Sequence, residues 1–454
     1  MEKNSNSEQS RFLNRFVWVK NGSLALLGVA VLLLLGQAFY IDDSQEPSIS
    51  INAEASVSPT RSIPEQQTQP LDLTQFHLTR EGVSYEQDIL ELIGLVKSGN
   101  LQDAQTRVDQ HLQEYPKSRV GHLIKSDVLA ALGGDFDLAK RDYAIPASKI
   151  DSPGYDVDGL RDQLKARWLH NKHEPVHRLV PASLIDFGDN GHALVADMKA
   201  GRLYLYKNVN GQPQLVSDYY LTVGSQGYGK EYEGDNKTPI GVYFVNDYLH
   251  PDTLPDLYGD GAFPVDYPNV FDRAQSRTGY GIWLHGTPSD TYARSPWASE
   301  GCFVISNDDF KHIREFVSAE EETPVILAEE VNWVTQDELA LLRKRYLGLV
   351  EAWRTSWESL DMQAYLGFYS QDQFNFGRSS FRKWADNKLA VNERKTFVQV
   401  ELNLNGVFLY PGEQDMFVVS YTQNYLSNNF AGRAEKQQYW QRDERGHWRI
   451  IFEG

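Results

Sequence analysis

The chain has 454 residues, too many for one hydrophobic core and enough for about three domains at roughly 150 residues each. Hydrophobic residues at 41% and charged residues at 23% are ordinary globular values, while a formal charge of -18 excludes the basic stripe that a nucleic-acid partner requires. One cysteine, Cys302, excludes an internal disulfide framework and leaves a thiol that reacts without risk of mispairing.

Residues 1–21 carry Arg11, Arg15 and Lys20. An almost uncharged apolar run from Gly22 to Ile41 follows, closed by Asp42 and Asp43. Basic before and acidic after places the N-terminus in the cytoplasm, and about 20 residues span roughly 30 Å of hydrocarbon as a helix. The long polar stretch ahead of the run favours an uncleaved anchor at 22–41 over a signal peptide cut near Gly36-Gln37-Ala38. Everything after Asp42 is then expected to be exported. Residues 42–80, rich in Ser, Glu, Gln and Pro, bury too little surface to fold and read as a flexible linker.

Residues 81–172 change to helical spacing, with Ile89, Leu92, Ile93, Val96, Val108, Leu112, Val120, Leu123, Ile124 and Val128. The turn Gly99-Asn100-Leu101 recurs as Gly134-Asp135-Phe136, offset by 35 residues. That spacing resembles a tetratricopeptide-like (TPR-like) hairpin, although a plain helical spacer fits equally. Two units fall short of the roughly three that such stacks need, so these helices are expected to pack on the next domain or on a second copy in a homodimer. His173-Glu174-Pro175-Val176-His177 spells the zinc-protease H-E-x-x-H pattern. Pro175 breaks the helix which that pattern requires, so a linker is expected there and no metal or cofactor.

From 173 to 330 the period drops towards two, as in Ala193-Leu194-Val195-Ala196, Arg202-Leu203-Tyr204-Leu205-Tyr206 and Gly241-Val242-Tyr243-Phe244, which predicts short antiparallel strands. From 331 to 454 a capping box at Thr335 and Glu338 opens a long helix with Leu339, Leu342, Tyr346, Leu349, Trp353 and Trp357 on one face. Asp361 and Ser379 are expected to cap two further helices. Clean alternation after Lys395 then predicts a curved antiparallel sheet, together an α+β cone.

The chemistry concentrates between Trp283 and Asn307. His285 and Cys302 lie 17 positions apart, each at the edge of an apolar, strand-like run. Adjacent strands would bring a base to a nucleophile, and the amides of Gly301 and Cys302 would be placed to hold an oxyanion. Coupling of that kind predicts that Cys302 is alkylated fast at neutral pH and slowly once His285 is removed.

Three pieces in fixed order carry a resemblance to a known family: Gly-Asp-x-Lys-Thr-Pro-x-Gly at 234–241, His285-Gly286-Thr287, and Ser299-x-Gly301-Cys302 followed by Asn307. Together they resemble the L,D-transpeptidase catalytic domain, also called YkuD, over about 176–327, and the C-terminal part resembles the NTF2-like (SnoaL-like) fold. The resemblance implies a multidomain protein, with a mainly-β L,D-transpeptidase-like catalytic domain between the helical hairpin region and an NTF2-like cone. It further implies a Cys302 acyl-enzyme formed on peptidoglycan stem peptides, activation by His285 and orientation of the ring by the Gly286 carbonyl. Ser299, Gly301, Lys237, Arg294 and Asn307 are the residues expected around the substrate. Glu300 and Val304 replace the histidine and arginine common in the family, so recognition of a substrate carboxylate is expected from Lys230, Lys237 or Arg294. Transpeptidase, L,D-carboxypeptidase and amidase outcomes share this intermediate. The expected setting is the bacterial inner membrane, single-pass, with the catalytic part in the periplasm. The alternative is a non-catalytic cell-wall scaffold whose aromatics, Trp353, Trp357, Trp384, Tyr425 and Trp440, line a binding pocket.

Overall fold

The computed structural model describes residues 85–134, 157–170 and 179–454, apart from 189, 375–379 and 414. The expected anchor at 22–41, the linker at 42–80, the His173–His177 motif and the Ser379 cap lie outside the described residues. Among the described residues no helix is long and apolar enough to cross a membrane.

Three helices come first: α1 Tyr85–Lys97, α2 Leu101–Glu114 and α3 Arg119–Leu132, with α4 Val157–His170 beyond. Gly99 and Gly134, the glycines of the repeated turn, both adopt positive φ (76° and 78°), the left-handed step that ends a helix. Ile89, Leu92 and Ile93 of α1 meet Val108 of α2 and Val120, Leu123 and Ile124 of α3, giving the hairpins a core of their own.

The central part contains β1 Val180–Pro181, β2 Leu184–Asp186, β3 His192–Asp197, β4 Arg202–Val209, β5 Gln212–Tyr220, β6 Val223–Gly224, β7 Gly241–Phe244 and β8 Ala262–Pro264. It continues with α5 Val270–Ala274, β9 Trp283–His285, β10 Trp297–Ser299, β11 Phe303–Val304, α6 Asn307–Ile313 and β12 Pro324–Ala328. The main sheet runs β5-β4-β3-β12-β7, with a smaller β11-β9-β8 sheet and a β10-β6 pair. Alternation in the main sheet feeds two cores. Val195, Tyr204, Tyr206, Val242 and Ile326 face the C-terminal domain, while Leu194, Leu203, Leu205, Tyr243 and Val325 face the small sheet. Burial on both faces is why these strands read as nearly continuous apolar runs. The sheets are mixed: β12 runs parallel to β3, β11 to β9 and β10 to β6, so the expectation of antiparallel strands fails at the centre of the domain.

The C-terminal part holds β13 Trp333–Val334, α7 Gln336–Glu358, α8 Met362–Leu366, α9 Phe381–Asn392, β14 Val398–Leu409, β15 Met416–Ser427, β16 Phe430–Arg442 and β17 Trp448–Glu453. Thr335 and Glu338 form the capping box of α7, Asp361 caps α8, and Ser380 caps α9. Leu339, Tyr346, Val350, Trp353 and Trp357 are the face of α7 buried against the sheet. Trp353, Trp384 and Trp440 belong to that packed core. The sheet order β17-β16-β15-β14-β2 carries one surprise: its edge strand, β2, comes from before the strands of the central sheet. Phe408 pairs with Leu184 and Val407 with Asp186, so the cone is joined to the central domain by backbone hydrogen bonds as well as by a shared core.

Candidate active site

The parallel pair β9–β11 brings the segments that bear His285 and Cys302 side by side. Phe303 is level with Leu284 and Val304 with His285. Leu284 and Phe303 both enter the inner core, which fixes the register, because a slip of one residue would turn them to the other face. Their neighbours on the opposite face are His285 and, one step before Phe303, Cys302. Parallel strands need a crossover, and here it is the loop from Gly286 to Pro296 followed by β10.

His285 is 3% exposed. Its Nδ1 lies 2.7 Å from Gly286 O, and because a carbonyl only accepts, the proton sits on Nδ1 and the Nε2 lone pair is left to act as base. Burial pushes the imidazole down to about 4, reinforced by the positive charge of Arg294 and opposed by the Gly286 carbonyl. Val304, where the family often has arginine, is 1% exposed and level with His285, an apolar neighbour that contributes no hydrogen bond to the ring. The Cys302 thiol donates to Gly281 O at 3.3 Å. Burial and the Glu300 carboxylate push it up to about 11 against the Trp283 backbone and the charges of Arg294 and Lys230, with burial the largest influence. Burial thus favours the neutral form of both thiol and imidazole, against the fast alkylation at neutral pH that coupling of the two would give.

Around the pair, Ser299 Oγ donates to Cys302 O at 2.5 Å and accepts from Gly301 N at 3.1 Å. The Gly301 amide, expected as an oxyanion donor, is thus occupied in the resting site. Gly301 itself has φ 125°, and a Cβ there would come 2.8 Å from Lys237 O. The Lys237 backbone flanks the nucleophile loop, and its N–H donates to Asp235 Oδ1 at 3.1 Å. Lys230, expected to be available for a substrate carboxylate, is instead buried in an ion pair with Asp235 at 2.7 Å and bonds Tyr232 O. Asp235 also accepts from the amides of Glu231 and Tyr232, so this turn-rich loop is closed around its own carboxylate. Arg294 donates to Ala298 O, and its charge reaches both reacting groups.

Asn307, expected beside the substrate, is held in the scaffold. Its Oδ1 accepts from Asp260 N at 3.1 Å and Thr287 N at 3.0 Å, and its Nδ2 donates to Thr287 O at 2.8 Å. A Cβ on Gly286 or Gly259 would fall within 2.1 or 2.0 Å of that same oxygen, which explains both glycines. Asn307→Ala strands three backbone groups, and an unfolding midpoint in urea corresponding to a loss of roughly 2 kcal/mol or more is expected. A midpoint equal to the wild type would exclude this clamp.

One residue beside the pair carries no motif. Tyr258, in a single turn of 3-10 helix at Asp256–Tyr258, places its ring 5.0 Å from His285 and 4.9 Å from Trp283, and its carbonyl accepts from Gly286 N. The only trace in sequence is an aromatic set in the glycine-bearing turn Tyr258-Gly259-Asp260-Gly261.

Residues 191–327 match the family model of the L,D-transpeptidase catalytic domain (YkuD), and residues 346–454 match that of the Cds6 C-terminal NTF2-like domain. Over 117 residues the chain is 31% identical to YafK of Escherichia coli, a protein named as an L,D-transpeptidase. That match covers 26% of this chain and 43% of YafK, so the chain spans less than half the length of the curated relatives it matches. Among solved structures, Bd1075 of Bdellovibrio bacteriovorus is 28% identical, with a TM-score of 0.53 over 61% of this chain and 97% of that one. Pgp2 of Campylobacter jejuni, a helical cell shape determining protein, is 25% identical, with a TM-score of 0.52 over 64% of this chain and 100% of Pgp2.

Proposed function

Because the chain carries an L,D-transpeptidase catalytic domain ahead of a Cds6-type NTF2-like domain, we propose that it is an exported, membrane-anchored enzyme that modifies peptidoglycan stem peptides through a Cys302 thioester. The carrying observation is the His285 tautomer, fixed by Gly286 O so that Nε2 keeps its lone pair, on the strand paired with the segment that bears Cys302. In the reaction, Nε2 takes the thiol proton as Sγ attacks the carbonyl carbon of the L-centre of a diamino acid. The oxyanion is met by the Cys302 amide. The imidazolium then returns the proton to the departing amine of the terminal D-residue, the C–N bond breaks, and a thioester remains. Water releases a shortened peptide and an incoming amine yields a new amide, so the acceptor divides hydrolase from transferase.

In this proposal residues 22–41 hold the protein in the inner membrane, and 42–80 give the catalytic part reach into the wall layer. Purified tetrapeptide muropeptides incubated with the wild type are expected to lose one D-alanine or gain a crosslink, each recognisable by mass, with Cys302→Ala inert. Identical, unchanged products from both proteins would reject the enzyme and favour the scaffold alternative.

A further inference from the structure

The crossover that parallel pairing demands between His285 and Cys302 does not lie free on the catalytic domain. Its midpoint, Tyr292, stacks on Tyr85 of α1 with ring centroids 5.1 Å apart and planes 17° from parallel. It also meets Tyr115, just past the end of α2, edge-on at 5.2 Å. The socket is itself braced: Tyr85 OH bonds Ser118 Oγ at 2.9 Å, and Ser118 Oγ bonds His111 Nε2 at 2.8 Å. The Asp88 carboxylate holds the other ring nitrogen of His111.

From this midpoint the crossover is tied at both ends to the reacting pair. Towards the base, Thr291 Oγ1 donates to Ala293 O and Thr287 Oγ1 to Thr291 O, and Thr287 lies two residues after His285. Towards the nucleophile, Arg294 O accepts from Tyr220 OH at 2.9 Å and Thr222 Oγ1 at 3.2 Å, while the Arg294 guanidinium holds Ala298 O beside Ser299.

We propose that Tyr292 is a positioning residue through which the helical region sets the active site: docking of its ring between Tyr85 and Tyr115 fixes the crossover, and with it the place of Arg294 and the approach of His285 to Cys302. The helices are then a working part of the catalytic unit rather than a spacer. The turnover consequence rests on the proposed enzymatic function; the effect on thiol reactivity does not.

The groups acting on the thiol are its acceptor Gly281 O, Arg294, Lys230, Glu300, Tyr258 and the Trp283 backbone; those acting on the imidazole are Arg294, Gly286 O and Tyr258. Removing the ring at 292 lets Arg294 retreat, so thiolate becomes harder to form. The test is the rate of Cys302 alkylation by iodoacetamide against pH, on the full chain, where the single cysteine makes labelling specific. Tyr292→Ala is expected to displace the profile upward by about half a pH unit, roughly threefold slower at fixed pH, and to lower kcat with KM little changed. Tyr292→Phe, which keeps the ring contact, is expected to superimpose on the wild type. Superposition of Tyr292→Ala on the wild type overturns the proposal. If circular dichroism shows that Tyr292→Ala does not fold, Tyr85→Leu tests the contact from the helical side with the same two outcomes. A displaced profile in a protein without muropeptide turnover would uphold this inference while rejecting the enzymatic function, and normal turnover with an unmoved profile would do the reverse.

Discussion

Full-length protein carrying His285→Gln is expected to lose muropeptide turnover by about 10²–10⁴-fold, the range for loss of a general base, while alkylation of Cys302 at fixed pH changes little. The two readouts separate because burial favours the neutral imidazole, whose removal takes no charge away from the thiol. A preformed thiolate-imidazolium pair would make them fall together. The thiol, pushed up to about 11, should also react with iodoacetamide some ten- to a hundredfold more slowly at pH 7 than a free cysteine, after allowing for the greater nucleophilicity of a more basic thiolate. Turnover in the wild type should fall as pH drops towards about 4, where the base acquires its proton. Stability moves the same way. The folded imidazole titrates below its unfolded value near 6.5, so its contribution is fully present above that value and is lost as pH falls through about 4. The amount is about 3 kcal/mol, absent from His285→Gln, and urea midpoints at a series of pH values measure it.

The candidate pair, Cys302 and His285, and the loops around it were legible because the features that set them are local. A glycine at an extended positive φ beside a lone cysteine, and a His-Gly pair whose carbonyl orients the ring, are written within a few residues of chain. The capping box of α7 was legible for the same reason, as two side chains three residues apart close it. Parallel pairing of β9 and β11 was not, since a two- or three-residue strand has the same pattern in either direction. The roles of Asn307 and Lys230 were hidden for a related reason. Polar side chains in a motif look available until the backbone groups they satisfy are in place, and here those groups lie on Thr287, Asp260 and Tyr232. Strand β2 shows the limit at the scale of domains, because Leu184 and Asp186 pair with residues more than 200 positions later. Tyr258 left almost no trace, since one aromatic in a turn has no period to detect.

Glu86→Ala is expected to cost about 3–5 kcal/mol and to undock the helices, a larger loss of stability than Asn307→Ala should cause. Glu86 on α1 is 3% exposed and lies between two guanidinium groups, Arg202 on β4 at 2.5 Å and Arg167 on α4 at 2.7 Å. Burial alone would raise its carboxyl, yet the two arginines hold it below the ordinary range, so the attraction exceeds the desolvation it opposes. Asp218 on β5 completes the arrangement, 2.6 Å from Arg202 and 2.8 Å from His170. Without Glu86, Arg167 keeps the face of the Tyr220 ring at 3.7 Å but loses its carboxylate, and Arg202 keeps only Asp218. Glu86→Gln, which retains an acceptor of the same size, should fall between the variant and the wild type. Urea unfolding gives the energy, and limited proteolysis reports whether α1–α4 are released while the catalytic sheet stays folded. A loss under about 1 kcal/mol with unchanged cleavage would mean that the apolar contacts alone dock the helices. Because Glu86 anchors the helical region that seats Tyr292, the two sites should not be independent. Glu86→Ala should displace the Cys302 alkylation profile in the same direction as Tyr292→Ala, and the double variant should move it by less than the sum of the two.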